Sequence, residues 1–402
     1  METTAWKSEN WWVGNYNFSN EVRSALSLPK KVMIHDSTLR DGEQTPGVVF
    51  RKEDKVEIAK ALDDVGVDRI ETGMPAVSKE DQDAIRMISN LGLRAKIFTF
   101  CRATKGDIDL SVDCGADGVL IEIPCSTPKL KYQFKWDEQQ VIDKSIQAIL
   151  YAKERGVYVT YFPYDTTRSD MNFLKRLLGE VIKAGRPDSI GIVDTMGCML
   201  PLAMAGLISE IKAEYDIPLE IHAHNDLGMG TANTLAAIGA GAEVAHVSVN
   251  GIGERSGNTA LDEVVVGLRV LYGIESQIHF EKLKELSSTV ERLSGFQLPV
   301  NKPIVGSNMF VRESGIGIEM VKKVPLSMFS LNPSFVGNQA GAVLGKKSGG
   351  APIKTKLEEL NIKVDEEKIL EILEEVKARS IAKKGLIEDN EFMEIVKHFS
   401  PT

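Results

Sequence analysis

The sequence holds no long apolar run, few cysteines and no excess of basic charge, and each absence removes a class of protein. No uncharged apolar stretch approaches the roughly 18 residues of a membrane span. The first residues, METTAWKSENWWVG, lack the apolar core of a secretory signal. The four cysteines (Cys101, Cys114, Cys125, Cys198) are scattered and form no C-x-x-C pair. That usage fits reduced thiols in a cytoplasmic protein rather than a disulfide framework. The net charge of −9 and pI of about 5.4 argue against nucleic acid or an anionic membrane as partner, since either calls for a concentrated basic surface. No G-x-G-x-x-G follows the first β-rich segment, which counts against an open dinucleotide-binding sheet.

What is present is a rhythm. From about residue 30, short β-rich runs alternate with segments of helical period. The runs are KVMIHD (31–36), DRIETGM (68–74), AKIFTF (95–100), GVLIEIP (118–124), VYVTYFPYD (157–165), SIGIVDT (189–195), LEIHAH (219–224) and EVAHVSVNG (243–251). Eight strand–helix units at about 30-residue spacing predict an α/β fold, a (β/α)8 TIM barrel. A small mixed or helical C-terminal subdomain follows. The expected organisation is an N-terminal arm (1–29) carrying Trp6, Trp11 and Trp12, and the barrel over 30–275. A linker helix (277–300) then opens a Gly/Pro/Asn/Ser-rich, lid-like subdomain (276–350), and a helical subdomain (351–402) ends the chain. The arm is expected to pack on another part of the chain or on a partner subunit. Asp365 is the expected N-cap of EEKILEILEEVKAR.

In such a barrel the active site lies at the C-terminal strand ends. Those ends collect Asp36, Arg40, Asp41, Glu43 and Gln44, then Glu71, Arg102, Glu122 and Ser126. They continue with Tyr164, Asp165 and Arg168, then Asp194 and Thr195, then His222, His224, Asn225 and Asp226, and finally Asn250. In IHAHND (221–226), His222 and His224 stand two apart and share a strand face. Two imidazoles with a carboxylate suit a divalent ion, Mg2+, Mn2+ or Zn2+, with Asp41 as the carboxylate and Asn250 as a further oxygen. A hydrogen-bonded polar rim is the alternative. Arg40 beside such a metal suits a substrate with adjacent carbonyl and carboxylate groups, while a rim ion pair with Glu71 is its bland reading. His35, His246, His279 and His398 read as isolated, without matched partners.

Three blocks, LRDGEQTPGVVFRKEDK (39–55), IHAHNDLGMGTANTLAAIGAGA (221–242) and NGIGERSGN (250–258), carry a resemblance. In order and spacing they resemble the 2-isopropylmalate, homocitrate and citramalate synthase family, whose wider superfamily includes hydroxymethylglutaryl-CoA lyase. The resemblance covers about residues 30–350. It implies a Claisen-type condensation of acetyl-CoA, the co-substrate, with a small 2-oxo acid, followed by thioester hydrolysis, in a homodimer. It implies metal ligands at Asp41, His222 and His224 with Asn250 close by. Arg40 would polarise the ketone, Thr195 would hold the 2-oxo acid carboxylate, Gln44 and Glu71 would line the site, and the GIGERSGN loop would lie near the acyl-CoA. Arg102 and Arg312 complete the candidate substrate-binding set.

The chain departs from the family pattern at the groups that move protons. YDTTRSD places Tyr164 and Asp165 where members carry a Glu-Asp pair. RESGIG places Arg312 and Gly317 where members carry two histidines, and GKKSG places Lys347 at another. Candidate replacements are Tyr164, Asp165, Glu122 and Glu319. A synthase with another base, a lyase working in reverse on a 3-hydroxyacyl-CoA and a non-catalytic binding paralogue are the readings left open. The loop after strand 8 lacks the cysteine that lyases use there. The large regulatory domain of leucine-inhibited members is not expected.

Overall fold

In the computed structural model, which describes residues 4–315 and 317–399, the eight β-rich runs form one closed parallel barrel. The side chains of Glu319 and Lys322 lie outside the described set. The strands are β1 (Met33–Asp36), β2 (Arg69–Glu71), β3 (Lys96–Arg102) and β4 (Gly118–Pro124), then β5 (Tyr158–Tyr164), β6 (Ser189–Asp194), β7 (Leu219–Ala223) and β8 (Val244–Val247). They pair in sequence order, and β8 closes on β1 with Met33 opposite Val244. Closure excludes an open doubly wound sheet.

Each strand is followed by a helix: α1 (Lys52–Val65), α2 (Lys79–Ser89), α3 (Lys105–Asp113), α4 (Glu138–Glu154), α5 (Met171–Glu180), α6 (Pro201–Glu214), α7 (Gly230–Gly239) and α8 (Leu261–Val270). Local chemistry sets several boundaries. Ser78, Thr104, Asp137 and Asp170 each accept a backbone N–H of the first turn that follows. Helix α1 stops at Gly66, whose φ of +96 suits glycine and whose missing Cβ would lie 2.5 Å from the Gln277 carbonyl. The helix expected over 277–300 is shorter, α9 (Leu283–Ser294).

The barrel interior beneath its C-terminal mouth is an apolar plug of Phe98, Phe100, Leu120, Phe162 and Val193. Alternation along β4 puts Leu120 in the plug and Glu122, two residues on, above it. Function therefore has to sit on the strand ends and the loops that follow.

Residues 15–297 form one compact unit, the barrel with α9. A second unit joins the residues up to Gly14 to those from Leu298 onward, so the arm divides at Gly14. Within this unit Trp11 bridges Leu331, its ring lies 5.6 Å from Phe335, and Trp12 N donates to Ser330 O. Its helical part is α10 (Gly350–Glu359), α11 (Ile369–Lys383) and α12 (Asp389–Phe399), packed around Ile353, Ile372, Val376, Phe392 and Ile395. Asp365 stands at the N-cap of a 3-10 turn leading into α11 but makes no side-chain capping bond.

Candidate active site at the C-terminal mouth

The turn after β1 folds back on itself, with Arg40, Asp41 and Gly42 N–H groups all donating to Ser37 O. This aims Arg40 and Asp41 over the barrel. Arg40 is clamped by Glu71 through Nε (2.6 Å) and Nη2 (3.3 Å), and its Nη1 lies 2.9 Å from Asp41 Oδ2. Its plane stacks on Phe100 at 4.0 Å. Burial pushes both carboxylates up, yet the Arg40 charge holds Glu71 and Asp41 below the usual carboxylate range.

His222 and His224 project from the end of β7 toward Asp41. Their Nε2 atoms lie 3.3 Å apart, and Asp41 Oδ2 lies 3.5 Å and 4.0 Å from them. Burial lowers both imidazoles, so both are held neutral with lone pairs available. Two facing ring nitrogens share at most one proton, and a cation between them and Asp41 resolves the arrangement. Asp41, His222 and His224 thus fit a divalent ion.

Asn250 does not join them. At φ +63 its amide turns to α9, donating to Ser287 O (3.0 Å) and accepting from Ser287 Oγ (2.6 Å). The residue that sequence reasoning passed over is Asn258. Its Nδ2 donates to Asp41 Oδ1 at 3.0 Å, while its buried Oδ1 accepts no hydrogen bond. That orphan carbonyl oxygen suits the role of a fourth ligand. The GIGERSGN glycines allow this approach: a Cβ on Gly253 would lie 2.3 Å from Asn258 Nδ2, and one on Gly257 would lie 2.0 Å from Gly251 O. The loop's glycine spacing was the available signal.

A cavity of about 560 Å³ opens here, lined among others by Arg40, Gln44, Glu122, Tyr164, Thr195 and both histidines. Gln44 Oε1 is 3.4 Å from Arg40 Nη1. Thr195 Oγ1 accepts the Asp165 N–H, leaving its own proton to donate. Tyr164 is half-buried, and burial with the nearby Glu122 raises its hydroxyl, so it stays a donor rather than a base.

Two candidates are not brought into this cavity. Asp165 is fully buried at φ +64, and its carboxylate is taken by Ser126 and Arg168. Arg102 turns outward and pairs with Asp107 at the start of α3 through Nε (2.8 Å) and Nη2 (2.9 Å). Arg312 belongs to the other compact unit, on the short strand Val311–Arg312. Gly317, in that same unit, has φ +79, and a Cβ there would lie 2.7 Å from Met328 Cε. A side chain at this position would displace Met328.

His35 and His246 are not isolated. They face each other across the β1–β8 pairing, stack at 4.2 Å, and His246 Nε2 bonds Glu220 at 2.7 Å. Strand adjacency on barrel closure creates this pair. It makes a poor metal site, because the rings lie parallel and Glu220 already serves Arg69, Ser189 and Thr160.

Residues 31–290 match the HMGL-like family model, and residues 304–384 match that of the homocitrate synthase post-HMGL domain. Homocitrate synthase AksA of Methanopyrus kandleri is 40% identical over 381 residues, covering 95% of this chain and 96% of that protein. The (R)-citramalate synthase CimA of Methanocaldococcus jannaschii is 43% identical, covering 86% and 70%. A probable 2-isopropylmalate synthase of Methanopyrus kandleri is 44% identical, covering 87% and 70%. Among solved structures, the HMG-CoA lyase of Bacillus subtilis shares the fold, with a TM-score of 0.62 at 19% identity over 68% of this chain and 96% of that one. On these matches the chain belongs to the HMGL-like family, with homocitrate, citramalate and 2-isopropylmalate synthases among its relatives over most of its length.

Proposed function

We propose that this protein is a divalent-metal-dependent synthase that joins the acetyl group of acetyl-CoA to a 2-oxo acid and hydrolyses the thioester. The observation that carries the reading is Asp41, His222, His224 and Asn258 converging beside a fixed Arg40, in a chain 40% identical to a homocitrate synthase across almost its full length. Asp41, His222, His224 and Asn258 would hold the ion, Mg2+, Mn2+ or Zn2+. When bound, such an ion supplies Lewis-acid polarisation of a ketone.

The chain's own residues supply the rest. Glu71 and Asp41 fix the Arg40 guanidinium, which keeps an Nη2 proton free for the oxygen on which charge develops. Thr195 offers its hydroxyl proton to the acceptor's carboxylate. The plug below excludes water from the floor of the cavity, where electrostatic interactions strengthen. The reading includes a homodimer in the cytoplasm, with small-molecule substrates and no nucleic-acid or membrane partner. The acidic balance argues against a nucleic-acid partner, and among the described residues no helix is long and apolar enough to cross a membrane.

The test is release of CoA thiol by purified protein with Mg2+ or Mn2+, acetyl-CoA and, in turn, oxaloacetate, 2-oxoglutarate, pyruvate and 2-oxoisovalerate. Release with at least one acceptor is expected. None with any of the four would refute the reading.

A further inference from the structure

Of the carboxylates that line the C-terminal cavity, four have partners. Asp41 is held by Arg40 and Asn258, Glu43 and Asp81 share the buried Lys55, and Glu254 pairs with Arg255. Glu122 is the exception among the described residues, with neither a hydrogen bond nor an ion pair. A partly buried carboxylate left bare is costly and calls for a reason.

Its position supplies one. Glu122 stands on β4 directly above the apolar plug. In a closed ring of eight strands β4 lies opposite β8, and β8 is flanked by β7 and β1, which carry the histidines and Asp41. The bare carboxylate thus faces the Asp41–His222–His224 cluster across the cavity. Burial raises its pKa above the ordinary carboxylate value. The charged and titratable groups that act on it are Arg40 and Glu71 from the β1 and β2 ends, Arg102, the buried Cys101 and Asp107 from β3 and α3, and Tyr164 from β5. Of these, Arg40 and Arg102 are already paired elsewhere, and Tyr164 keeps its proton.

We infer that Glu122 is the base that takes the methyl proton from acetyl-CoA in the condensation, an inference that rests on the synthase reading. The proton passes to the Glu122 carboxylate, and the C–H electron pair becomes the enolate C=C with charge on the thioester oxygen. The enolate carbon then bonds the keto carbon, whose π pair moves to oxygen and takes up a proton. Water cleaves the thioester and CoA leaves as the thiol, while Glu122 returns its proton to solvent. A raised carboxylate facing the acceptor across the cavity meets both demands on such a base, reach and a pKa nearer the working pH. Tyr164 lines the cavity but keeps its proton, and the Asp165 carboxylate is already taken by Ser126 and Arg168.

The experiment compares wild type, Glu122→Gln and Glu122→Asp for CoA release with the acceptor the wild type uses. The expected result for Glu122→Gln is a kcat loss of at least about 100-fold, with both KM values within about threefold and the acid limb of the kcat–pH profile gone. Glu122→Asp, which keeps the charge but withdraws it by one methylene, is expected to keep the acid limb and lose at least about tenfold in kcat. It carries the test if Glu122→Gln does not fold. A smaller loss in the variant measured, or an acid limb that persists in Glu122→Gln, overturns the inference alone. A wild type that releases no CoA overturns the synthase reading and this inference with it.

Discussion

The two mouths of the barrel have cavities of nearly equal size, about 520 Å³ at the N-terminal end and about 560 Å³ at the C-terminal end, but opposite polar accounting. At the N-terminal mouth one device repeats. Asp68 accepts the Ile34 N–H and pairs with Lys31, and Asp117 accepts the Ile97 N–H and pairs with Lys96. Asp188 accepts the Val159 N–H and pairs with Lys153, and Glu243 accepts the Leu219 N–H and pairs with Lys212. Each carboxylate satisfies an N–H within the first two residues of a strand and is itself paired with a lysine. At the C-terminal mouth Asn258 Oδ1 is orphaned, two imidazole nitrogens face each other, and Glu122 is bare. Cavity size does not separate the ends; unmet bonding capacity does. A fold tolerates such groups where a ligand completes them.

The largest expected effect breaks the C-terminal arrangement. His222→Ala should lose bound divalent ion, read by metal analysis, and lower CoA-releasing turnover by at least about 1000-fold while the thermal midpoint stays near wild type. Undiminished turnover would remove the cluster from the chemistry.

Between the mouths, burial lowers His35 to about 4 from an ordinary 6.5. The unfolded chain therefore binds a proton there that the folded chain refuses. The folded state is unpenalised above pH 6.5 and loses stability as pH falls toward 4, by about 3 kcal/mol from this group. Denaturant titrations at pH 7 and pH 4.5 should show a smaller acid loss in His35→Gln than in wild type. Equal losses would assign acid sensitivity to other groups.

The smallest effect belongs to the satisfied end. Asp68→Ala strands the Ile34 N–H and should cost about 1–2 kcal/mol in urea unfolding, with kcat and KM unchanged. A fall in kcat instead would show the two mouths to be coupled.

Much of the C-terminal mouth was legible beforehand because its signals are local. His222 and His224 share a face through strand periodicity alone, and the LRDGEQ block places Arg40 and Asp41 on one turn. Other assignments failed where a partner took the side chain, from a distant segment or from the turn that follows it. Asn250 looked like the natural oxygen ligand until Ser287, on a helix outside the eight units, took its amide. Asp165 looked available until Ser126 and Arg168 closed on it, and Arg102 until Asp107 did. His35 and His246 looked solitary because only closure of β1 on β8 stacks them.

By itself the sequence determined the eight strand–helix units, which faces of them are apolar, and the metal-type pairing on β7, since each depends on residues a few positions apart. Tertiary structure alone decided that Asn258 rather than Asn250 meets Asp41, and that Glu122 among five cavity carboxylates is left without a partner. Those outcomes depend on which side chains from separate strands reach one another first. A hydrogen bond or ion pair gained at one group removes it from every other use, and that competition is settled only when the barrel closes.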